Sequence, residues 1–127
     1  MTAGSVPGMG THWTLGCDAA DPQRLAAFWA QALRYVPEPG YDGPDNASLI
    51  DPAGKGPAIS FLRVPEGKTA KNRMHIDIRV GGEHLIRTRV AELVTAGATV
   101  VREESYGGDE LGHVVMLDPE GNEFCVA

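Results

Sequence analysis

Cysteine is scarce in this chain: Cys17 and Cys125 are the only two among 127 residues. Two cysteines do not make a disulfide framework, so they are read as free thiols in a reducing cytoplasm. Long apolar runs are missing as well, and the longest are far too short to cross a bilayer, so no membrane is expected as a partner. Aromatic residues make up only 6% of the chain, and the net charge of -6 comes from acidic and basic residues that are scattered rather than blocked. Neither pattern offers nucleic acid an electrostatic or stacking surface. The opening MTAGSVPGMG lacks the charged and apolar regions of a signal peptide, and its Gly, Ser and Pro content predicts a flexible end over residues 1–10. There is no CxxC, GxGxxG, Walker loop, GxSxG or HExxH. Most common chemistries are thereby left without a motif.

What is present is the composition of one globular domain, 43% hydrophobic, over residues 11–127. DPQRLAAFWAQAL, from Asp21 to Leu33, predicts a helix: Asp21 can cap the first free amides, and Pro22 suits the first turn. Leu25, Phe28, Trp29, Ala32 and Leu33 fall on one face, which makes Trp29 a core residue. A second helix is expected from about Glu83 to Ala96, with Ile86, Val90, Leu93 and Val94 as its stripe and Gly97 as its left-handed stop.

A strand is predicted before each helix. MHIDIRV alternates Met74, Ile76, Ile78 and Val80 against His75, Asp77 and Arg79. HWTLGCD alternates Trp13, Leu15 and Cys17 against His12, Thr14, Gly16 and Asp18. Short β-rich runs follow each helix: Ala47 to Asp51 and Pro57 to Val64 after the first, then Thr99 to Arg102, His113 to Leu117 and Glu123 to Ala127 after the second. Asp-Pro-x-Gly occurs twice, at Asp51 and Asp118, each time between the last two strands of a set, where such residues favour a tight turn. The chain therefore reads as a βαβββ repeat: an α+β fold with module one over about residues 11–65 and module two over about 72–127. Each helix should cover the apolar, outer face of its own curved, antiparallel-rich sheet.

With these elements in place, the sequence resembles the vicinal oxygen chelate superfamily of glyoxalases, bleomycin-resistance proteins and extradiol dioxygenases. Asp21, Phe28, Trp29 and Leu33 are similar to the family's first helix, KNRMHIDI (Lys71 to Ile78) to the start of its second module, and DPEGNEFCV to its closing hairpin. The combination most resembles the small bacterial glyoxalase-like branch. The resemblance implies a homodimer and a cleft between the modules that holds a small oxygenated molecule. It also implies a divalent metal (zinc, nickel, manganese or iron) on the cleft floor, acting as a Lewis acid. Of the four ligand positions it implies, His75 matches, whereas Thr14 and Cys125 stand where a His or Gln and a Glu are usual. Ala58 or Ser60 falls near the remaining position, without a carboxylate.

A site displaced along its strands would use His12, His75 and Glu123 as metal ligands. His12 and Glu123 precede the vacant positions by two residues, pointing to the same face about 6–7 Å along the strand. His75 and Glu123 are then the candidate catalytic groups. Thr14, Asp18, Asp77, His113 and Cys125 are the candidates for substrate contact. Blander readings stand beside these: His75 as a hydrogen-bonded polar residue, Asp77 and Asp18 as partners of Arg79, Glu123 as a support of the turn, Cys125 as a small buried thiol and His84 as a solvated helix residue. The Gly- and charge-rich segment from Glu103 to Gly112 reads as a lid loop. Three functions follow: a metal-dependent lyase, isomerase or dioxygenase; a metal-free binding protein of the drug-sequestering kind; or a structural dimer. The polar row of His75, Asp77 and Glu123 argues against the last.

Overall fold

The computed structural model describes residues 10–127, so the flexible end expected over residues 1–10 lies almost wholly outside the described residues. In chain order the elements are β1 (Leu15–Ala19), α1 (Pro22–Leu33), β2 (Val36–Pro37), β3 (Asn46–Ile50), β4 (Ile59–Arg63), β5 (Asp77–Ile78), α2 (Glu83–Thr95), β6 (Thr99–Ser105), β7 (Leu111–Leu117) and β8 (Glu123–Val126). They form two four-stranded sheets, ordered β1-β4-β3-β2 and β5-β8-β7-β6. Each sheet with its helix is one βαβββ module. In both, the first strand runs parallel to the last while the remaining pairs are antiparallel.

The local signals act as chemistry requires. The Asp21 carboxylate accepts the Arg24 backbone N–H at 3.2 Å, and Pro22 opens α1. At the other end Arg34 takes the left-handed cap with φ 57°, a conformation that costs a residue with a Cβ. Gly97 stops α2 with φ 119°. The stripe of α2 is narrower than predicted: Ile86 and Leu93 are buried and Val90 partly so, but Val94 lies 46% exposed, one residue round from Leu93.

Two strand expectations and one loop expectation need correction. The run from His12 to Asp18 becomes β1 only from Leu15, whose first partner is Ile59; Pro57, just upstream on the neighbouring strand, cannot donate to a longer ladder. The run from Met74 to Val80 is paired as strand only at Asp77–Ile78, at the sheet edge, although Cys125 N–H still donates to the Ile76 carbonyl (3.0 Å) and Val80 N–H to that of Ala127 (2.7 Å). Half of the segment expected as a lid is sheet: β6 runs through Ser105 and β7 begins at Leu111, leaving 106–110 as a hairpin connection. The two-residue β2 carries no alternating pattern to predict it, and its Pro37 suits an edge.

The core is shared. Leu25, Phe28 and Trp29 of α1 pack with Ile59 and Phe61 of β4, and the same cluster contains Ile78, Val114, Met116, Phe124 and Val126 of module two. Phe28, Trp29 and Phe124 meet edge-on at centroid distances of 5.1–5.9 Å. Apolar faces thus point inward; the alternate residues lie on the opposite faces, where Ser48 and Val115 are buried as well. Among the described residues no helix is long and apolar enough to cross a membrane.

Candidate functional site

Strand parity decides what lies on the open face of module two. Ile78, Phe124, Val126, Val114 and Met116 go to the core. Their neighbours Asp77, Cys125, Val115 and His113 therefore point the other way. Register then aligns them: Asp77 is opposite Cys125, Cys125 opposite Val115, and Val115 opposite Arg102, with His113 opposite Glu104 two pairs further on. His75 joins the row two residues before Asp77. The result is a line, polar but for the buried Val115, across one face of a sheet whose other face is core.

At its β5 end His75 Nδ1 and Asp77 Oδ1 are 2.9 Å apart. When that nitrogen carries the proton it donates to the carboxylate, and Nε2 is left with the lone pair. One ligand atom each from His75, Asp77 and Cys125 lie within 4.8 Å of one another. Burial, then the charge of Asp77, pushes the Cys125 thiol above its ordinary range, while Arg102 and Lys71 pull it partly back. Asp77 also meets Arg79 at 3.9 Å, the pairing anticipated from sequence, and Arg102 meets Glu104 at 2.6 Å. His113 is hydrogen-bonded to the exposed Tyr106, with the two rings tilted by 32° and 5.4 Å apart. A Cβ at Gly112 would sit 2.7 Å from that tyrosine ring, which is why the hairpin has glycine there.

Glu123 shares the face of Cys125 by parity, lies outside the His75–Asp77–Cys125 group and is already engaged. Its carboxylate accepts the Asn72 N–H (3.1 Å) and lies 3.6 Å from Lys68 Nζ, while Asn72 Oδ1 accepts the Glu123 N–H (2.8 Å). Desolvation works against its charge, but the Asn72 N–H, its own backbone N–H and the two lysines Lys68 and Lys71 outweigh that and hold the carboxyl below its usual range. The KNR stretch thus has one assignable role: Asn72 ties the linker between modules to β8. His12 and Thr14 precede β1 and are exposed. Asp18 lines a different feature, a cavity of about 390 Å³ between the modules that also involves Gly16, Lys68, Asn72, Glu120 and Asn122. The predicted residues therefore separate into an open-face group (His75, Asp77, Cys125, His113), a between-module group (Asp18, with the linker tie of Glu123 beside it) and two residues ahead of β1.

On module one, the Ser48 hydroxyl donates to Glu38 (2.8 Å) and lies 3.2 Å from that of Ser60. Glu38 is a carboxylate that sequence reasoning did not single out, since it falls in a loop and meets Ser48 only through the fold. The four metal-ligand positions implied by family resemblance are occupied by Thr14, Ala58 or Ser60, His75 and Cys125. With the Ser60 hydroxyl engaged and no imidazole or carboxylate among the module-one positions, this donor set does not fit the family's two-module metal site.

The fold has many relatives of known structure. A glyoxalase/bleomycin resistance protein/dioxygenase family enzyme from Burkholderia phytofirmans is 18% identical, with TM-score 0.72 over 89% of this chain and 94% of that one. A possible glyoxalase from Bacillus cereus is also 18% identical, with TM-score 0.69 over 94% and 98%. A mutant of the fosfomycin resistance protein FosX from Listeria monocytogenes, complexed with Mn(II) and 1S,2S-dihydroxypropylphosphonic acid, is 12% identical, with TM-score 0.70 over 95% and 89%. No curated protein matches the chain in sequence. The family model described as "Glyoxalase-like domain" matches residues 14–127, nearly all of the two modules, and the chain belongs to that family of the vicinal oxygen chelate superfamily.

Proposed function

We propose that the protein binds a small oxygenated organic molecule against the open face of module two, with His75 as the residue on which any chemistry turns. The reading rests on one observation, the line of His75, Asp77, Cys125 and Arg102 on the face of the sheet opposite the shared core. An imidazole held by a carboxylate can hydrogen-bond a hydroxyl or carbonyl and move its proton. A guanidinium across the same face suits an oxyanion. The phosphonate diol bound by FosX is a ligand of this kind. Lyase, isomerase or dioxygenase chemistry would start from His75, while Glu123 is held by Asn72 and Lys68 as a support. A cytoplasmic homodimer completes the reading, with Trp13 and Met74, 59% and 82% exposed beside the edge strands, as apolar surface that a second copy would cover.

A second reading, metal-free sequestration of an organic ligand, is favoured by the replacement of the family's ligands at Thr14 and Cys125. Both readings are tested by one experiment. A panel of hydroxy acids, keto acids, phosphonates and catechols is titrated into isotope-labelled protein, with and without chelator, and backbone shifts are followed. Shifts centred on His75, Cys125 and Arg102, lost in His75→Ala, support binding at this face. Shifts confined to the cavity near Asp18 and Lys68 overturn it. Turnover abolished by chelator favours the enzyme, and binding indifferent to chelator favours sequestration.

A further inference from the structure

Arginines gather at one place on this acidic chain. Arg34, Arg79 and Arg89 line a cavity of about 290 Å³ where the C-terminal end of α1 meets one face of α2. We propose that this cavity binds a small phosphate monoester, held between the modules by Arg34 of module one and by Arg79 and Arg89 of module two. Guanidinium groups present paired N–H donors that match phosphate oxygens, and the volume is close to the lower end of small-ligand pockets, about 300 Å³.

The first observation behind it is how little the fold uses two of the three guanidiniums. Arg34 closes α1 through its backbone N–H, but its exposed side chain forms no ion pair among the described residues. Arg79 is 76% exposed and reaches only Asp77, at 3.9 Å, where an exposed pair contributes little. Arg89 is the anchored member: its Nη1 donates to the Ala32 carbonyl at 3.3 Å, and its Nε lies 3.6 Å from Glu92. Two guanidiniums can thus close on an anion beside a third that is held in place.

The second observation is charge balance. Glu92, the acid of the cavity wall, is met by Arg89. The same side chain covers the carbonyl end of α1, whose dipole would repel an anion. The charges of Arg34 and Arg79 remain, and they suit a dianion. Val80 and the half-exposed Leu85 add apolar wall for the carbon body of an ester.

The third is the backbone of Arg34. Its φ of 57° costs any residue with a Cβ, and glycine would close the helix without that cost. Strain at a residue whose side chain forms none of the fold's ion pairs is the pattern of a group held ready for a ligand. The cavity shares no lining residue with the His75, Asp77 and Cys125 group or with the cavity near Asp18, so the inference stands apart from the open-face reading.

The test is titration of glycerol phosphate into the full chain with isotope-labelled arginine side chains, beside succinate and beside sodium chloride at matched ionic strength. The expected result is saturable movement of the Arg34, Arg79 and Arg89 Nε signals with the phosphate ester, weaker binding of succinate and no saturable response to chloride. Arg34→Gly and Arg79→Gln should each weaken binding roughly fivefold or more. Arg24→Gln, on the exposed surface of α1, should leave it unchanged. Because Arg34→Gly relieves the strained cap, lost binding with an unchanged or raised Tm separates the site from the fold. A response that chloride reproduces overturns the proposal, as does unweakened binding in either variant. Succinate binding as tightly as the ester overturns the phosphoryl class. Ester shifts centred on His75 and Arg102 overturn this site and leave the open-face reading standing. Saturable shifts at Arg34, with none at His75 for any oxygenated ligand, overturn only the open-face reading.

Discussion

The Trp29 indole N–H donates to the Asp118 carboxylate 2.9 Å away, joining α1 of module one to the second Asp-Pro-x-Gly turn across 89 residues of chain. Asp118 is 4% exposed and also accepts from the Glu120 and Asn122 backbones and the Asn122 side chain. The adjoining Glu120 carboxylate accepts the Ala20 and Asp21 N–H groups at 2.7 and 2.8 Å, just ahead of α1. The first turn has only the local half of this design: Asp51 accepts the N–H groups of Ala53, Lys55 and Gly56 within its own loop. One motif, used twice, closes a hairpin in module one and locks the modules together in module two.

Replacing Trp29 with Phe should therefore destabilise the protein by about 2–3 kcal/mol, because a buried carboxylate loses a charge-assisted partner and the core loses ring area. Urea denaturation followed by circular dichroism should show a lower midpoint with an unchanged slope. A shift below about 0.5 kcal/mol would mean that this bond contributes no more than an ordinary surface contact.

Arg34 gives the opposite sign. Its left-handed φ of 57° carries a Cβ cost that glycine avoids, and its backbone N–H already closes onto the Ala30 and Gln31 carbonyls. Arg34→Gly should stabilise by roughly 1 kcal/mol, read as a rise in Tm. No rise would show that contacts of the arginine side chain offset the strain.

Much of this architecture was legible because its signals are local. Asp21, Pro22 and the Phe28–Trp29 stripe mark α1 whatever the rest of the chain does, and each Asp-Pro-x-Gly announces a turn within four residues. Parity also put Asp77 and His75 on one face. What parity cannot tell is which strands become neighbours. The apposition of Asp77 and Cys125 depends on a parallel register formed between residues far apart in the chain, and so did the capture of Glu123 by Asn72. Parity makes Glu123 a candidate ligand in sequence; the bonds of its carboxylate to Asn72 and Lys68 come only from the fold. Pairing also set the strand lengths, which is why His12–Thr14 and Met74–His75 alternate without being paired as strand.

Acid should weaken the fold in a defined window. The Ala53 and Gly56 N–H groups hold the Asp51 carboxyl below its ordinary 3.8, and the Leu111 N–H followed by Arg87 holds that of Glu83 below 4.5. A lowered folded-state value means that the stabilisation is complete above the unfolded-state value and is lost as pH falls through the folded one. The denaturation midpoint should thus be level from neutrality to near pH 4.5 and fall below it. Glu83→Gln should make that fall shallower; an identical fall in the variant would remove Glu83 from the account.

The two thiols should differ in their chemistry from ordinary surface cysteines, Cys17 most of all. Its side chain packs against the core from β1, and burial first, then the charges of Asp118, Glu120 and Asp18, raise its pKa to about 11. Since only the thiolate attacks an alkylating agent, Cys17 should be nearly inert to iodoacetamide at neutral pH. Its labelling rate should climb towards pH 11, and the ordinary thiol value of 9.0 should leave no plateau in the profile. Peptide mass spectrometry after timed labelling reads this directly, with the denatured chain as the reference for full reactivity. Rapid neutral labelling of Cys17 in the folded protein would mean that the β1 edge opens readily, exposing the thiol to water and removing the desolvation that raises it.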